Sequence, residues 1–407
     1  MISLTILFTI DKNTILYTYN NILKIVYITN ARLPTEKAHG VQIIKMIEAL
    51  SSLNNEVVLI SPNRIQNEIS HKTSVFDFYN VEKIFEHNLI NFMDPYKYRS
   101  SMPKFFYRFF SFLVNLLWGI KSAKIGSKLN GDFYIFRDNT PFSYLFCAIF
   151  SKKCVIEFHD IPPFFSRLIF KLGLMISDKT VCFAVTNKLS EDLFHKFGKV
   201  KNLKKIDTLH DGVDLIKFKN NKIIENSTPL LTYCGSLSKS KGIDLIINSA
   251  KYINNVEFLI IGGLKVDVDH YKKIANDNGV KNINFIGQVN YSDVPNLLNK
   301  SDILLLPSSA KNIKSRNYTS AMKLFEYMSI GKPIIASNIP SNTEILENNL
   351  NCLLFEPDNP KSMVEKINTL INDKELNKKI TKNSSKLAIK YSWTERSKKM
   401  IKRIKID

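Results

Sequence analysis

The sequence is short of several things at once. No apolar run reaches the ~18–20 uncharged residues that a membrane-spanning helix needs. Near the start, ISLTILFTI is too short and is followed by Asp11 and Lys12. It has neither a basic lead nor a small-residue cleavage site, so an extension ahead of the first strand is expected rather than a signal peptide. The five cysteines (Cys147, Cys154, Cys182, Cys234, Cys352) are scattered, most of them inside apolar segments. There is no Cys-x-x-Cys and no His/Cys cluster at metal-ligand spacing. A reduced, cytoplasmic compartment and no structural metal are therefore expected. Acidic residues are also scarce beside basic ones, 37 against 57, which leaves a formal net charge of +20. Nucleic acid, an anionic membrane surface and small phosphorylated substrates all suit such an excess, as does a plain lysine-rich composition. No helix-turn-helix, RNA-recognition signature or zinc motif accompanies the charge, so nucleic acid is not expected as a partner.

What is present is the pattern of a two-domain α/β protein. The chain has 407 residues, of which 44% are hydrophobic and 23% charged, enough for two domains with real cores. From Lys24 onward, short apolar segments alternate with amphipathic ones. KIVYIT (24–29), EVVLIS (56–61), DFYIFR (132–137), CVIEFHD (154–160) and TVCFAV (180–185) read as buried strands, with a helix from about Val41 to Leu53 after the first. A polar stretch, FKNNKIIENST (218–228), precedes a second series. Its strands are LLTYCG (230–235), VEFLIIGG (256–263), INFIG (283–287), DILLLP (302–307), PIIAS (333–337) and CLLFE (352–356). Repeated β-α-β predicts parallel sheets covered on both faces. Two Rossmann-like domains joined at about 213–228 would face each other across a cleft, with ligands beyond the carboxyl ends of the strands.

Two segments carry an aromatic-basic pattern: PKFFYRFFSFLVNLLWGIKSAK (103–124), with Lys104, Arg108, Lys121 and Lys124, and PPFFSRLIFKLGLMI (162–176). Such helices suit the headgroup region of a membrane, or they are ordinary core-facing helices.

Several stretches place chemistry at strand ends. In GSLSKSKG (235–242), Gly235 permits a tight turn, Ser240 is a candidate helix cap and Lys241 can reach a phosphate at the helix N-terminus. The same letters also suit an ordinary polar loop. His159, beside Asp160, ends its strand on the ligand side, where imidazole serves as a hydrogen-bond partner or base. Asp211 and Gly212 follow the last strand of the first domain and read most simply as a turn. In TSAMKLFEYMSIGKPIIAS (319–337), Ala321, Leu324, Phe325 and Met328 form one buried stripe, and Gly331 and Pro333 mark the helix end. Thr319 or Ser320 is expected to cap its start. Lys323 and Glu326 fall off the stripe, either on a solvated face or in a ligand site. A cation in the first turn is unfavourable by ~0.3–1 kcal/mol unless an anion sits nearby.

In their order and spacing these segments resemble the nucleotide-sugar-dependent glycosyltransferases of family 4, retaining enzymes with the GT-B fold. The resemblance runs from Lys24 to about Arg403. It rests on TEKAHGVQIIKMIEALSSLNNEVVLISP, VIEFHD, LHDGVD, GSLSKSKGIDLI, INFIGQVNYSDVPNLLNKSDILLLPSS, KLFEYMSIGKPIIASNIPSNTEI and YSWTERSKKM. It implies an N-terminal extension at 1–23, an acceptor domain at 24–215, a donor domain at 216–385, and a helix at 386–407 returning to the first domain. It implies transfer of a sugar from a nucleotide diphosphate to a glycan or lipid-linked acceptor in cell-surface polysaccharide synthesis, at the inner face of the cytoplasmic membrane. Lys241 takes the place of the phosphate-binding lysine, Glu326 that of the ribose-binding glutamate and His159 that of the active-site histidine. Amides following Ser320, at Ala321, Lys323 and Leu324, would meet the diphosphate. The loop of Ala38, His39 and Gly40 would close over donor or acceptor, and the nucleobase would lie near Gly287. Lysine and helix amides would neutralise the diphosphate without a metal or other cofactor.

Two positions depart from the family pattern. Tyr318 stands where a second glutamate often contacts the donor sugar, and Ser236 stands where an arginine usually follows Gly235, with Arg316 or Lys239 as candidate substitutes. The resemblance leaves two other readings open: a sugar-nucleotide epimerase of the same fold, and a non-catalytic nucleotide-sugar-binding protein.

Overall fold

A computed structural model describes residues 22–35, 37–64, 73–219 and 226–406. Nearly all of the expected N-terminal extension, and the middle of the polar stretch at 218–228, lie outside the described residues.

The first sheet comprises β1 (Lys24–Ile28), β2 (Glu56–Pro62), β3 (Glu86–Ile90), β4 (Phe133–Arg137), β5 (Cys154–Phe158), β6 (Thr180–Ala184) and β7 (Asp207–Thr208). They are parallel, in the order β3-β2-β1-β4-β5-β6-β7. The second sheet comprises β8 (Leu230–Cys234), β9 (Glu257–Ile261), β10 (Ile283–Gly287), β11 (Ile303–Leu306), β12 (Ile334–Ser337) and β13 (Leu353–Phe355). It is also parallel, ordered β10-β9-β8-β11-β12-β13. Central strands such as KIVYI and ILLL are buried along almost their whole length, because helices cover both faces of each sheet. In each sheet the strand order reverses beside the first strand of its domain, at β1/β4 and at β8/β11. This opens a crevice at the carboxyl ends.

Helices Lys104–Lys128, Pro141–Ile149, Phe164–Ile176 and Asn187–Phe197 pack on one face of the first sheet, around Trp118, Tyr134, Phe158 and Phe170. The opposite face is covered by Ala38–Ser52 and by Trp393–Ile406, whose Trp393, Met400 and Ile404 join Ile43 and Ile47 over Tyr27 and Ile135. The C-terminal helix thus completes the core of the N-terminal domain. The chain crosses between domains twice at one place: the Val213 N–H donates to the Tyr391 carbonyl at 2.9 Å, and the Trp393 N–H to the Val213 carbonyl at 3.2 Å. Gly212 fits under this crossing, where a Cβ would approach the Tyr391 oxygen to 3.0 Å. A turn is therefore only part of its role.

The structure adds two strands to those expected. EHNLI of β3 is an edge strand with a half-polar face, and β7 has two residues; neither carries an apolar run. The first helix begins at Ala38, three residues before Val41, so Ala38, His39 and Gly40 form its opening turn and not a loop. Thr35, ahead of it, is pinned by Tyr79, whose hydroxyl donates to the Thr35 carbonyl at 2.7 Å.

Candidate active site in the cleft

Helix Met322–Ile330 follows the crevice of the second sheet, and its amino end is uncapped. Ala321 occupies the N-cap with no side-chain hydrogen bond. Neither expected cap serves: the Thr319 hydroxyl donates to the Lys314 carbonyl at 2.9 Å, and the Ser320 hydroxyl accepts from the Asp211 N–H at 2.9 Å. Both are spent holding the approach to the helix, so the first amides are left to an external acceptor. The Leu324 N–H is not among them. It donates to the Ala321 carbonyl at 2.8 Å, and its side chain is in the core.

Lys323 stands over the ring of Tyr233, with Nζ 3.8 Å from the ring centroid. Burial, then the nearby charge of Lys241, pushes its pKa down to about 7. Lys241 is itself lowered, by burial and then by Lys314. Neither lysine enters an ion pair among the described residues. Two lysines without an ion pair among the described residues thus stand by the open end of a helix, an arrangement that an anion would relieve. Glu326 lies one turn further in and is buried, its carboxylate accepting from the Tyr291 hydroxyl at 2.8 Å. Burial raises its pKa to about 7, against the opposing effects of that hydrogen bond and Lys323. Glu326 is buried and Lys323 half-buried against the Tyr233 ring, so neither stands on an open solvated face.

Gly235 makes room for this. At φ +144° it adopts a backbone conformation open to glycine. Ser236 is exposed, and its carbonyl accepts from the Tyr233 hydroxyl at 2.7 Å. Ser240 does not cap the next helix. Gly242, at φ +78°, holds that N-cap, while the Ser240 carbonyl accepts from the Ser309 N–H and the Ser315 hydroxyl. Gly287 ends β10 at φ +77°, its carbonyl bound by the Gly262 N–H at 2.7 Å.

The N-terminal domain contributes His159 at the end of β5. Its Nε2 lies 2.5 Å from Glu157 Oε1. Glu157 is the centre of a buried network that the sequence signals only as a lone charge inside the strand CVIEF. Gln42 Nε2 donates to it at 2.6 Å, and Arg396 Nη2 of the C-terminal helix pairs with it at 2.8 Å. Arg137 in turn donates to Gln42. Burial alone would raise the Glu157 pKa, but Arg396, His159 and Arg137 together hold it well below the carboxylate range. Asp211 is buried beside them with Oδ1 lacking a hydrogen bond, 3.8 Å from Arg396, and burial raises its pKa. His159 and Ser320 therefore flank one residue, Asp211, which brings the histidine toward the open helix end.

Across the cleft, Asp160 pairs with Lys314 at 2.5 Å, and the Tyr318 hydroxyl donates to Asp192 at 2.7 Å. Tyr318 is packed into the first domain's core and does not line the lysine pocket. Arg316 is exposed, with Nε donating to Asn317, and Lys239 is exposed. Gly40 is buried, where a Cβ would strike the Tyr79 hydroxyl at 2.1 Å; packing accounts for this glycine. Among the described residues no group of three or more His, Cys, Asp or Glu side chains is placed to hold a metal ion.

Known proteins resemble the chain in sequence and in fold. Residues 215–387 match the family model of the glycosyl transferases group 1. The chain is 30% identical over 234 residues to an uncharacterised glycosyltransferase of Methanocaldococcus jannaschii, covering 56% of this chain and 59% of that protein. It is 27% identical over 237 residues to the capsular polysaccharide biosynthesis glycosyltransferase CapM of Staphylococcus aureus, covering 52% and 59%. The match thus spans about three fifths of the length of these curated relatives. A structure of Anabaena Alr3699/HepE in complex with UDP and glucose superposes with a TM-score of 0.67 at 16% identity, covering 95% of this chain and 100% of that one. The fold is GT-B, and its second domain is similar to the glycosyl transferases group 1 over residues 215–387.

Proposed function

We propose that the protein is a retaining glycosyltransferase that moves a sugar from a nucleotide diphosphate to a lipid-linked glycan acceptor in cell-surface polysaccharide synthesis. The observation that carries this is the uncapped amino end of helix Met322–Ile330 with Lys241 and Lys323 beside it. A diphosphate leaving group gathers negative charge as the glycosidic bond breaks. Fixed amides and two desolvated ammonium groups meet that charge without reorganising. Glu326, held by Tyr291, accepts hydrogen bonds from the ribose hydroxyls. His159, oriented by Glu157, faces the sugar from the other domain. No divalent metal is needed for this neutralisation. The relatives' printed roles, capsular polysaccharide synthesis in CapM and UDP binding in HepE, support donor and pathway class.

Thermal melting against a panel of nucleotide sugars tests the reading, followed by transfer and hydrolysis assays with the stabilising donor. A true donor raises the melting temperature by mass action, and transfer retains the anomeric configuration. Stabilisation without turnover on any acceptor points to a binding protein. Isomerised free nucleotide sugar points to an epimerase. Stabilisation by nucleic acid alone overturns the proposal.

A further inference from the structure

The helices Lys104–Lys128, Pro141–Ile149 and Phe164–Ile176 form one layer on the first sheet. They lie unusually close together. A Cβ on Gly119 would meet the Phe142 Cβ at 2.4 Å, and one on Gly173 would meet the Tyr144 ring at 2.4 Å. The sides turned away from the sheet therefore point the same way and share one surface. That surface is apolar. Phe105 is 78% exposed, Phe165 71% and Phe164 65%, with Phe106, Phe109 and Leu168 also exposed. Successive exposed residues follow helical spacing on Lys104–Lys128 and on Phe164–Ile176, so these are faces and not scattered side chains. Two exposed apolar faces on neighbouring sides of one helix mark an interaction surface.

Charge selects the partner. The three helices contain seven basic residues (Lys104, Arg108, Lys121, Lys124, Lys128, Arg167 and Lys171) and no acidic one. Lys104 and Arg108 are exposed at the start of the first helix, and Arg167 lies 5.8 Å from the ring centroid of Phe164. Phenylalanines flanked by unopposed cations fit an anionic lipid surface, where rings enter the acyl boundary and cations meet headgroups. A second copy of this surface would bring like charges together. No described helix is long and apolar enough to cross a membrane.

Position adds a purpose. Phe164 and Phe165 lie five and six residues after His159, and Lys104–Phe109 opens the helix that follows the β3 carboxyl end. The aromatic ends are therefore at the cleft end of the domain. We infer that this layer docks on an anionic bilayer and sets the cleft mouth at the lipid surface, where a lipid-linked acceptor presents its glycan. The inference extends the lipid-linked acceptor reading, but its test needs no turnover.

The test is flotation of the full chain with vesicles of phosphatidylcholine, with and without phosphatidylglycerol. The wild type floats with the anionic vesicles and is released by salt. Phe105→Ser/Phe165→Ser and Lys104→Glu/Arg108→Glu each lower partitioning about tenfold or more, while melting temperature and nucleotide-sugar binding stay at wild-type values. Equal flotation with uncharged vesicles, or variants that float like the wild type, would overturn the inference. So would a dimer in sedimentation that the same substitutions dissociate, because the occupant is then a second copy. Flotation with no nucleotide sugar bound leaves the docking surface standing and removes the reaction proposed above.

Discussion

A Cβ on Gly235 would lie 2.5 Å from Nζ of Lys323 and 3.2 Å from the Tyr233 hydroxyl. The missing side chain of one residue is thus the space that the cation of the other uses. Gly235→Ala adds both this clash and the strain of φ +144°. It is expected to displace the ammonium and weaken nucleoside diphosphate binding about tenfold or more, with binding of the uncharged nucleoside little changed. Calorimetric titration with both ligands checks this. Equal losses for the two would point to general damage instead.

Lys323→Met and Lys241→Met each remove one charged donor from the helix end. Each is expected to cost about tenfold to hundredfold in affinity for a nucleoside diphosphate. Because Lys241→Met relieves the repulsion that lowers Lys323, part of its single loss is offset, and the double variant should lose more than the product of the single losses. A double-mutant cycle measures the difference.

The pH dependence follows from the same pair. Lys323 has a pKa near 7 in the free protein, so it loses its proton as pH rises through about 7. Glu326 gains negative charge over the same interval. Loss of the Lys323 charge opposes an anion, so diphosphate affinity is expected to fall between pH 6 and pH 8, by at most about tenfold per unit past that pKa, whereas the Glu326 carboxylate that forms over the same interval is the form that accepts from ribose. Lys323→Met should flatten its share of this slope.

Glu326 also predicts a stability effect with a definite sign. Its carboxyl rises from 4.5 to about 7 on folding. The folded state then holds a proton that the unfolded state has released, so stability from this group is lost as pH rises from about 4.5 to 7. Glu326→Gln removes that loss. Denaturant melts of both proteins should differ increasingly in favour of the variant as pH climbs across the interval. A constant difference would contradict the buried, raised carboxyl.

Arg396 is expected to matter for stability more than any surface arginine. Arg396→Met leaves Glu157 buried without its guanidinium and frees the carbonyls of His210 and Leu209, to which Arg396 also donates. Removing one partner of such a pair costs about 3–5 kcal/mol. Glu157 is held below the carboxylate range in the wild type, so it stabilises at neutral pH and that contribution fades on acidification. The variant should unfold at a higher pH than the wild type in an acid titration.

Most of the architecture is legible in the sequence, because strands buried on both faces need continuous apolar runs and KIVYI or ILLL cannot be much else. The strands that escape are β3 and β7, where an edge position or extreme length removes the run. The site is legible in its residue types and not in its contacts. Periodicity separates Lys323 and Glu326 from the Leu324–Phe325–Met328 stripe but does not reveal that Tyr233 and Tyr291 stand against them. Ser320 has the right side chain and place for a cap, yet Asp211, more than a hundred residues earlier, claims it. Tyr318 replaces a carboxylate in the family pattern and faces the other domain. Glu157, Gln42, Arg137 and Arg396 form one network from four separate segments, which no local pattern announces.

The C-terminal helix has a consequence for how the molecule is made. The core of the first domain lacks Trp393, Met400 and Ile404, and Glu157 lacks Arg396, until synthesis has passed those residues. The second domain, by contrast, is continuous between the two crossings at Val213 and Tyr391. The half translated later can close first on the ribosome. The half translated earlier waits with a charged group and an apolar face unmet, an inversion of the usual order of domain folding.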